Sequence, residues 1–174
     1  GGRPVRFIVY RVGQARFAAA MPSIDEVLRA GAGLTPVPGG PPAVAGMMHH
    51  RGAALPVIDL RRQFGLPGGA AGKAKILVHA VRGSSGEAAA AGFMVDAVEG
   101  VVAAASGGIA VPPALPAASA ALVTHILDSP DGTAPLPVLD LRRLLDGAAG
   151  SLPALLEGLL PSPAAQAEAR AMLH

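Results

Sequence analysis

Apolar residues in this chain fall in short runs that glycine, proline or charged residues cut off, the signature of brief strands more than of long helices. The pattern predicts strands at Arg6–Val12, Ala15–Ala20, Leu34–Val37, Val44–Met48 and Ala53–Ile58. A second set is predicted at Lys75–Val81, Gly92–Val95, Gly100–Ala104, Leu122–Leu127 and Leu136–Leu139. Loops are expected at Thr35–Pro42, Pro67–Gly72, Arg82–Ala88, Ser106–Ala118 and Ser129–Ala134. Many short strands so punctuated indicate small barrels or a sandwich. The last stretch is different. Leu152–Leu160 has a helical pattern behind Ser151 as cap, Pro161 stops it, and Ser162-Pro163 start a second helix over Ala164–Leu173.

An internal repeat organises the chain. Leu55-Pro56-Val57-Ile58-Asp59-Leu60-Arg61-Arg62 recurs as Leu136-Pro137-Val138-Leu139-Asp140-Leu141-Arg142-Arg143, with Ile58 and Leu139 the one exchange. In each copy a proline sits at the start of a buried strand, where a missing amide donor costs little. Asp59 and Asp140 then offer a carboxylate to the free amides of a short helix, and Gly65 and Gly147 end those helices. The Arg pairs are expected on the solvated side of each helical turn. A weaker echo lies upstream, where Phe17–Met21 and Ile24–Val27 parallel Phe93–Val95 and Val98–Val101.

Composition narrows the possibilities. Hydrophobic residues make up 51% of the 174, enough for a packed core, but aromatics are only 3%, so aliphatic side chains must fill it. The net charge is +2, and the arginines are scattered along a chain poor in aromatics, not gathered in one basic stripe, which argues against a nucleic-acid surface. The absence of cysteine removes disulfides, thiolate catalysis and cysteine-based zinc sites, and fits a reducing compartment. Val101–Leu127 is long and uncharged enough to mimic a membrane span. However, Gly107, Gly108, Pro112, Pro113 and Pro116 break it into strand, loop and strand. No direct membrane insertion is expected, and Arg3, Arg6, Arg11 and Arg16 interrupt any leader-like stretch.

Candidate chemistry is sparse. His49 and His50 suggest a metal, yet adjacent strand residues point to opposite faces and no HExxH accompanies them. No GxSxG elbow occurs, and the glycine-rich runs lack the order of a phosphate loop; Lys73 is not followed by Ser or Thr. No catalytic residue, metal or cofactor is expected.

The run Val44-Ala45-Gly46-Met47-Met48-His49-His50-Arg51-Gly52, continuing into Leu55–Arg61, resembles the central motif of CheW-like domains. Ile24–Leu28 ahead of Leu34-Thr35-Pro36-Val37-Pro38 is similar to that family too, as is the block Gly92–Val101, and the likeness spans residues 5–147 in order. The resemblance implies a mainly β fold of two SH3-like five-stranded barrels sharing a core, with short helices. Residues 5–150 would form that domain, barrel 1 near 15–75 and barrel 2 near 76–150 with possible exchange of the N-terminal strand, and 151–174 would be a helical segment.

It further implies a non-enzymatic cytoplasmic adaptor between a methyl-accepting chemoreceptor tip and the regulatory domain of a CheA-type histidine kinase. A scaffold in a pilus or surface-sensing pathway is the alternative, ahead of a nucleic-acid-binding barrel. The implied partner-binding positions are Ile24, Glu26, Val27, Gly46 and Arg51, with Val98 and Val101 from the second barrel. The four aliphatic ones would equally serve as core, and Gly46 a bulge or close strand approach. Arg51 is expected to pair with Glu26. His49-His50 stands where the family has Asn-Leu, and Met47-Met48 where it has branched residues.

Overall fold

The computed structural model describes residues 4–31, 33–39, 42–67, 74–82, 88–104, 109–110, 122–128 and 135–146. The strands are β1 (Val5–Val12), β2 (Ala15–Ala20), β3 (Ile24–Arg29), β4 (Val44–His50), β5 (Ala53–Asp59), β6 (Lys75–Arg82), β7 (Ala88–Val95), β8 (Ala97–Ala104), β9 (Ile109–Ala110), β10 (Val123–Leu127) and β11 (Leu136–Leu139). A 3-10 turn, Met21–Ser23, joins β2 to β3, while α1 (Leu60–Gln63) follows β5 and α2 (Leu141–Asp146) follows β11. The strand expected at Leu34–Val37 is reduced to one bridge, Thr35 to Met47. A strand not foreseen, β3, takes residues whose alternation of Ile24, Glu26 and Leu28 with exposed Asp25, Val27 and Arg29 is that of a half-buried edge. The loops at Ser106–Ala118 and Ser129–Ala134 lie largely or wholly outside the described residues, as do Gly147 and residues 151–174.

Five strands form one sheet in the order β3-β6-β7-β5-β4, and the other reads β8-β1-β2-β11-β10-β9, five strands plus the two-residue β9. The first sheet therefore draws only on residues 24–95, and the second on both ends of the described chain. This differs from a division near residue 76: β6 and β7 belong with β3–β5, and the whole β1–β2 hairpin, beyond one exchanged strand, belongs with β8–β11.

The two sheets are copies in register. β5 runs parallel to β7 with Val57 opposite Gly92, and β11 runs parallel to β2 with Val138 opposite Ala18. On β3, Ile24, Glu26 and Val27 face His79, Val78 and Leu77; on β8, Val98, Gly100 and Val101 face Tyr10, Val9 and Ile8. Each of these edges carries one extra residue at a bulge, Asp25 and Glu99. A bulge also recurs between Val44 and Gly46 on β4 and between Val123 and His125 on β10. This register aligns Phe17 with Ala91, so the sequence echo between Phe17 and Phe93 was displaced by two residues, whereas Ile24 with Val98 and Val27 with Val101 were correctly matched.

Three apolar clusters result. One inside the first sheet holds Leu55, Val57, Ile76, Val78 and Met94; one inside the second holds Phe7, Val9, Ala18, Leu127, Leu136 and Val138. The third lies between them and takes the opposite face of the same strands: Ile8, Tyr10 and Val12 from β1, Phe93 and Val95 from β7, with Ile58 and Leu77. Tyr10, Phe17 and Phe64 form a run of rings through it, with centroids 5.9 and 5.6 Å apart. Burial drives the Tyr10 hydroxyl far above its ordinary ionisation range.

Both helices also enter the third cluster, through Leu60 and Leu141 with Leu144, and the Gln63 side-chain amide donates to the Leu144 carbonyl at 2.7 Å. Asp59 caps α1 by accepting from the Arg61 amide at 2.9 Å, and Asp140 caps α2 by accepting from Arg142 at 3.0 Å. Burial pushes the Asp59 carboxyl above its usual value, against the lowering effect of that cap and of Arg62.

The repeat breaks at its first arginine. Arg62, Arg142 and Arg143 are exposed, as the solvated reading of both pairs requires, but Arg61 is buried. Its guanidinium donates to Asp96 at 2.7 Å and to the Pro67 carbonyl at 2.6 Å. Asp96 sits in the turn where the chain leaves β7 for β8, accepts a second bond from the Gly13 amide, and donates its own amide to the Arg11 carbonyl at 2.9 Å. The clamp thus ties α1 to the β1–β2 hairpin of the other sheet. In the second copy the register puts Pro22 where Asp96 stands, so that turn offers Arg142 no carboxylate.

Truncating one member of a buried pair leaves the other charge uncompensated. Arg61→Ala or Asp96→Ala should lower the unfolding free energy by about 3 kcal/mol, and Arg142→Ala by less than about 0.5 kcal/mol. Urea denaturation measures both; equal costs would mean the clamp holds nothing.

Candidate functional site

β3 and β8 are the terminal strands of their sheets, and both leave aliphatic side chains uncovered. Val27 is 40% exposed and Val101 53%, the two occupying the same position of the duplicated register. Ile24 and Val98, also equivalent, are half-buried and pack on the shared cluster from their respective sheets. The core alternative therefore holds in part for Ile24 and Val98 and fails for Val27 and Val101.

Glu26 and Arg51 come together as the sequence suggested. The β4–β5 hairpin turns through Arg51 and Gly52 alone, with φ of 51° and 78°. Positive φ at both central residues is what a tight two-residue hairpin requires to match strand twist. Glycine meets that demand freely, but arginine does so at a cost of about 1 kcal/mol. A long charged side chain thus stands at a backbone position that disfavours it. Its guanidinium reaches the Glu26 carboxylate at 3.1 Å. The position of Glu26 in the second sheet is filled by Gly100, so this ion pair has no copy there.

His50 is the residue that sequence reasoning set apart without assigning a partner. His49 is exposed and His50 half-buried, on opposite faces of β4 as strand geometry dictates. The Nε2 atom of His50 lies 3.1 Å from the same Glu26 oxygen that Arg51 contacts. The signal lay in hairpin register: residues flanking a two-residue turn sit at the sheet's rim, beside the neighbouring edge. These groups border a cleft of about 720 Å³ whose floor includes Leu55, Pro56, Val78 and Ala90 and whose rim adds Asp25. Among the described residues no group of three His, Asp or Glu side chains is placed to hold a metal ion. No helix among them is long and apolar enough to cross a membrane.

Gly46 is buried beneath the Thr35 bridge. A Cβ there would lie 2.7 Å from the Thr35 carbonyl oxygen and 3.3 Å from Leu34 Cβ, so close strand approach accounts for this glycine.

The CheW-like domain profile matches residues 6–149 of the chain. The crystal structure of scaffolding protein TtCheW from Thermoanaerobacter tengcongensis superposes with a TM-score of 0.70 at 25% identity, covering 83% of this chain and 89% of that one. The two sheets and their clusters correspond to the paired SH3-like barrels of that fold. Protein FrzA of Myxococcus xanthus is 46% identical over 56 residues, 32% of this chain and 34% of FrzA, so the chain spans only about a third of that relative's length.

Gly46→Ala should cost about 2 kcal/mol, because the clash falls on backbone that cannot swing aside. Thermal unfolding followed by circular dichroism tests this; an unchanged midpoint would leave Gly46 without a structural reason.

Proposed function

The chain belongs to the CheW-like domain family, and on that premise we propose that it is a non-enzymatic cytoplasmic adaptor. It would couple the tips of methyl-accepting chemoreceptors to the regulatory domain of a CheA-type histidine kinase. The observation that carries the reading is the matched pair of uncovered valines, Val27 and Val101, on the edge strands of the two barrels. Beside one of them stands an arginine held at a backbone position that favours glycine. Aliphatic patches next to a planar guanidinium suit a protein partner bearing carboxylates.

Signalling by such a chain is assembly. Receptor states that differ in their contacts with the adaptor shift the kinase equilibrium by that difference in contact free energy and no more. Isolated affinities on the order of micromolar are enough for such a chain, because repetition across an array supplies the remainder.

Two sets of variants test the reading by calorimetry with a receptor hairpin fragment and with a kinase regulatory domain. The double variant Val27→Asp with Val101→Asp should keep its stability within about 0.5 kcal/mol, since both side chains are uncovered, and lose about tenfold or more in affinity. Arg51→Gly should hold or gain up to about 1 kcal/mol of stability, because glycine relieves the turn, while partner affinity falls. Unchanged affinity in both sets, or a wild-type chain that binds neither partner, overturns the proposal.

A further inference from the structure

Glu26 carries two cationic or potentially cationic neighbours on one oxygen, and they are unequal. His50 is seated on β4 with its side chain 17% exposed, while Arg51 extends from the turn with its side chain 77% exposed. A solvent-exposed ion pair on a flexible side chain is held weakly, so Arg51 is the exchangeable partner and His50 the fixed one. The cleft that these three groups line takes one further charged side chain, Asp25 on the β3 edge, and otherwise the non-titrating Ala53, Ala54, Leu55 and Pro56 of β5, Val78 of β6 and Ala90 of β7. With a neutral imidazole the rim of Asp25, Glu26 and Arg51 bears one net negative charge; protonating His50 cancels it.

We propose that His50 determines when Arg51 is available: a protonated His50 takes over the Glu26 carboxylate and frees the Arg51 guanidinium for a carboxylate on an acidic protein partner. Imidazole side chains change charge between about pH 5 and pH 8, and a charged donor bonds a carboxylate roughly twice as strongly as a neutral one. Arg51, displaced from Glu26, projects from a rim that no longer repels acidic groups. The grip on an acidic partner therefore tightens as pH falls, the reverse of what loss of carboxylate charge alone would produce. This inference rests on the adaptor reading for its partner but not for the exchange itself.

The 174-residue chain, labelled with nitrogen-15, separates the two. On lowering pH from about 8 to about 6, the Arg51 Nε–Hε signal should become more mobile in step with the His50 ring resonances. In His50→Leu and in Glu26→Gln its mobility should not follow pH. Affinity for a receptor hairpin fragment should be about threefold tighter at the lower pH in the wild type, with a ratio near one in His50→Leu. An Arg51 signal indifferent to His50 titration overturns the inference, as does an identical pH ratio in wild type and His50→Leu. Arg51 release without binding at any pH supports the exchange and instead overturns the adaptor reading.

Discussion

A barrel of strands no more than eight residues long encloses little apolar volume, and a domain that small is marginal by itself. This chain adds a handicap, since four phenylalanines and one tyrosine are all its aromatic rings. Its two sheets meet the difficulty by using the same strands twice. On β1, Phe7 and Val9 fill one interior while Ile8, Tyr10 and Val12 fill the cluster between the sheets, and β7 divides Met94 from Phe93 and Val95 in the same way. Strands buried on both faces give the barrels one common interior, and the Arg61–Asp96 clamp closes its margin. The relative placement of the edge strands β3 and β8 is thereby inherited from core packing.

Because the sheets repeat each other residue for residue, departures from the repeat are informative. Asp96 stands where the other copy has Pro22, and that single difference sends Arg61 inward and leaves Arg142 in solvent. Glu26 stands where the other copy has Gly100, and with it comes the cluster of Glu26, His50 and Arg51. Val27 and Val101 are the opposite case, retained in both copies and uncovered in both. A repeated exposed apolar residue costs solubility twice, which a core requirement does not explain.

Much of this was legible in the chain's own pattern. The cassette strands and their aspartate caps follow from hydrophobic runs and turn chemistry, while the pairing of Glu26 with Arg51 was expected between positions that the family resemblance singled out. The strand β3 was hidden because its acidic Asp25 and Glu26 look like a loop until the edge position that tolerates them is known. Arg61 was misplaced since sequence repetition implies equal surroundings, and its partner lies 35 residues away in a turn whose counterpart is proline. The assignment of β6 and β7 to the first sheet was equally out of reach, because each half taken alone shows strands enough for a barrel. His50 was conspicuous by its departure from the family pattern, yet its contact depends on how two edges meet in space.

The interleaved connectivity bears on how the molecule comes into being. Everything in the first sheet lies between Ile24 and Val95, whereas the β1–β2 hairpin precedes that stretch and pairs with β8 and β11, which follow it. A two-stranded ribbon has little persistence alone in water, and closing so long a loop is entropically slow. The hairpin also touches the first barrel: the Phe17 ring is in contact with Tyr10 on one side and with Phe64, at the end of α1, on the other. The first sheet therefore offers the hairpin a surface, through Phe64, that does not depend on β8 or β11 having paired with it.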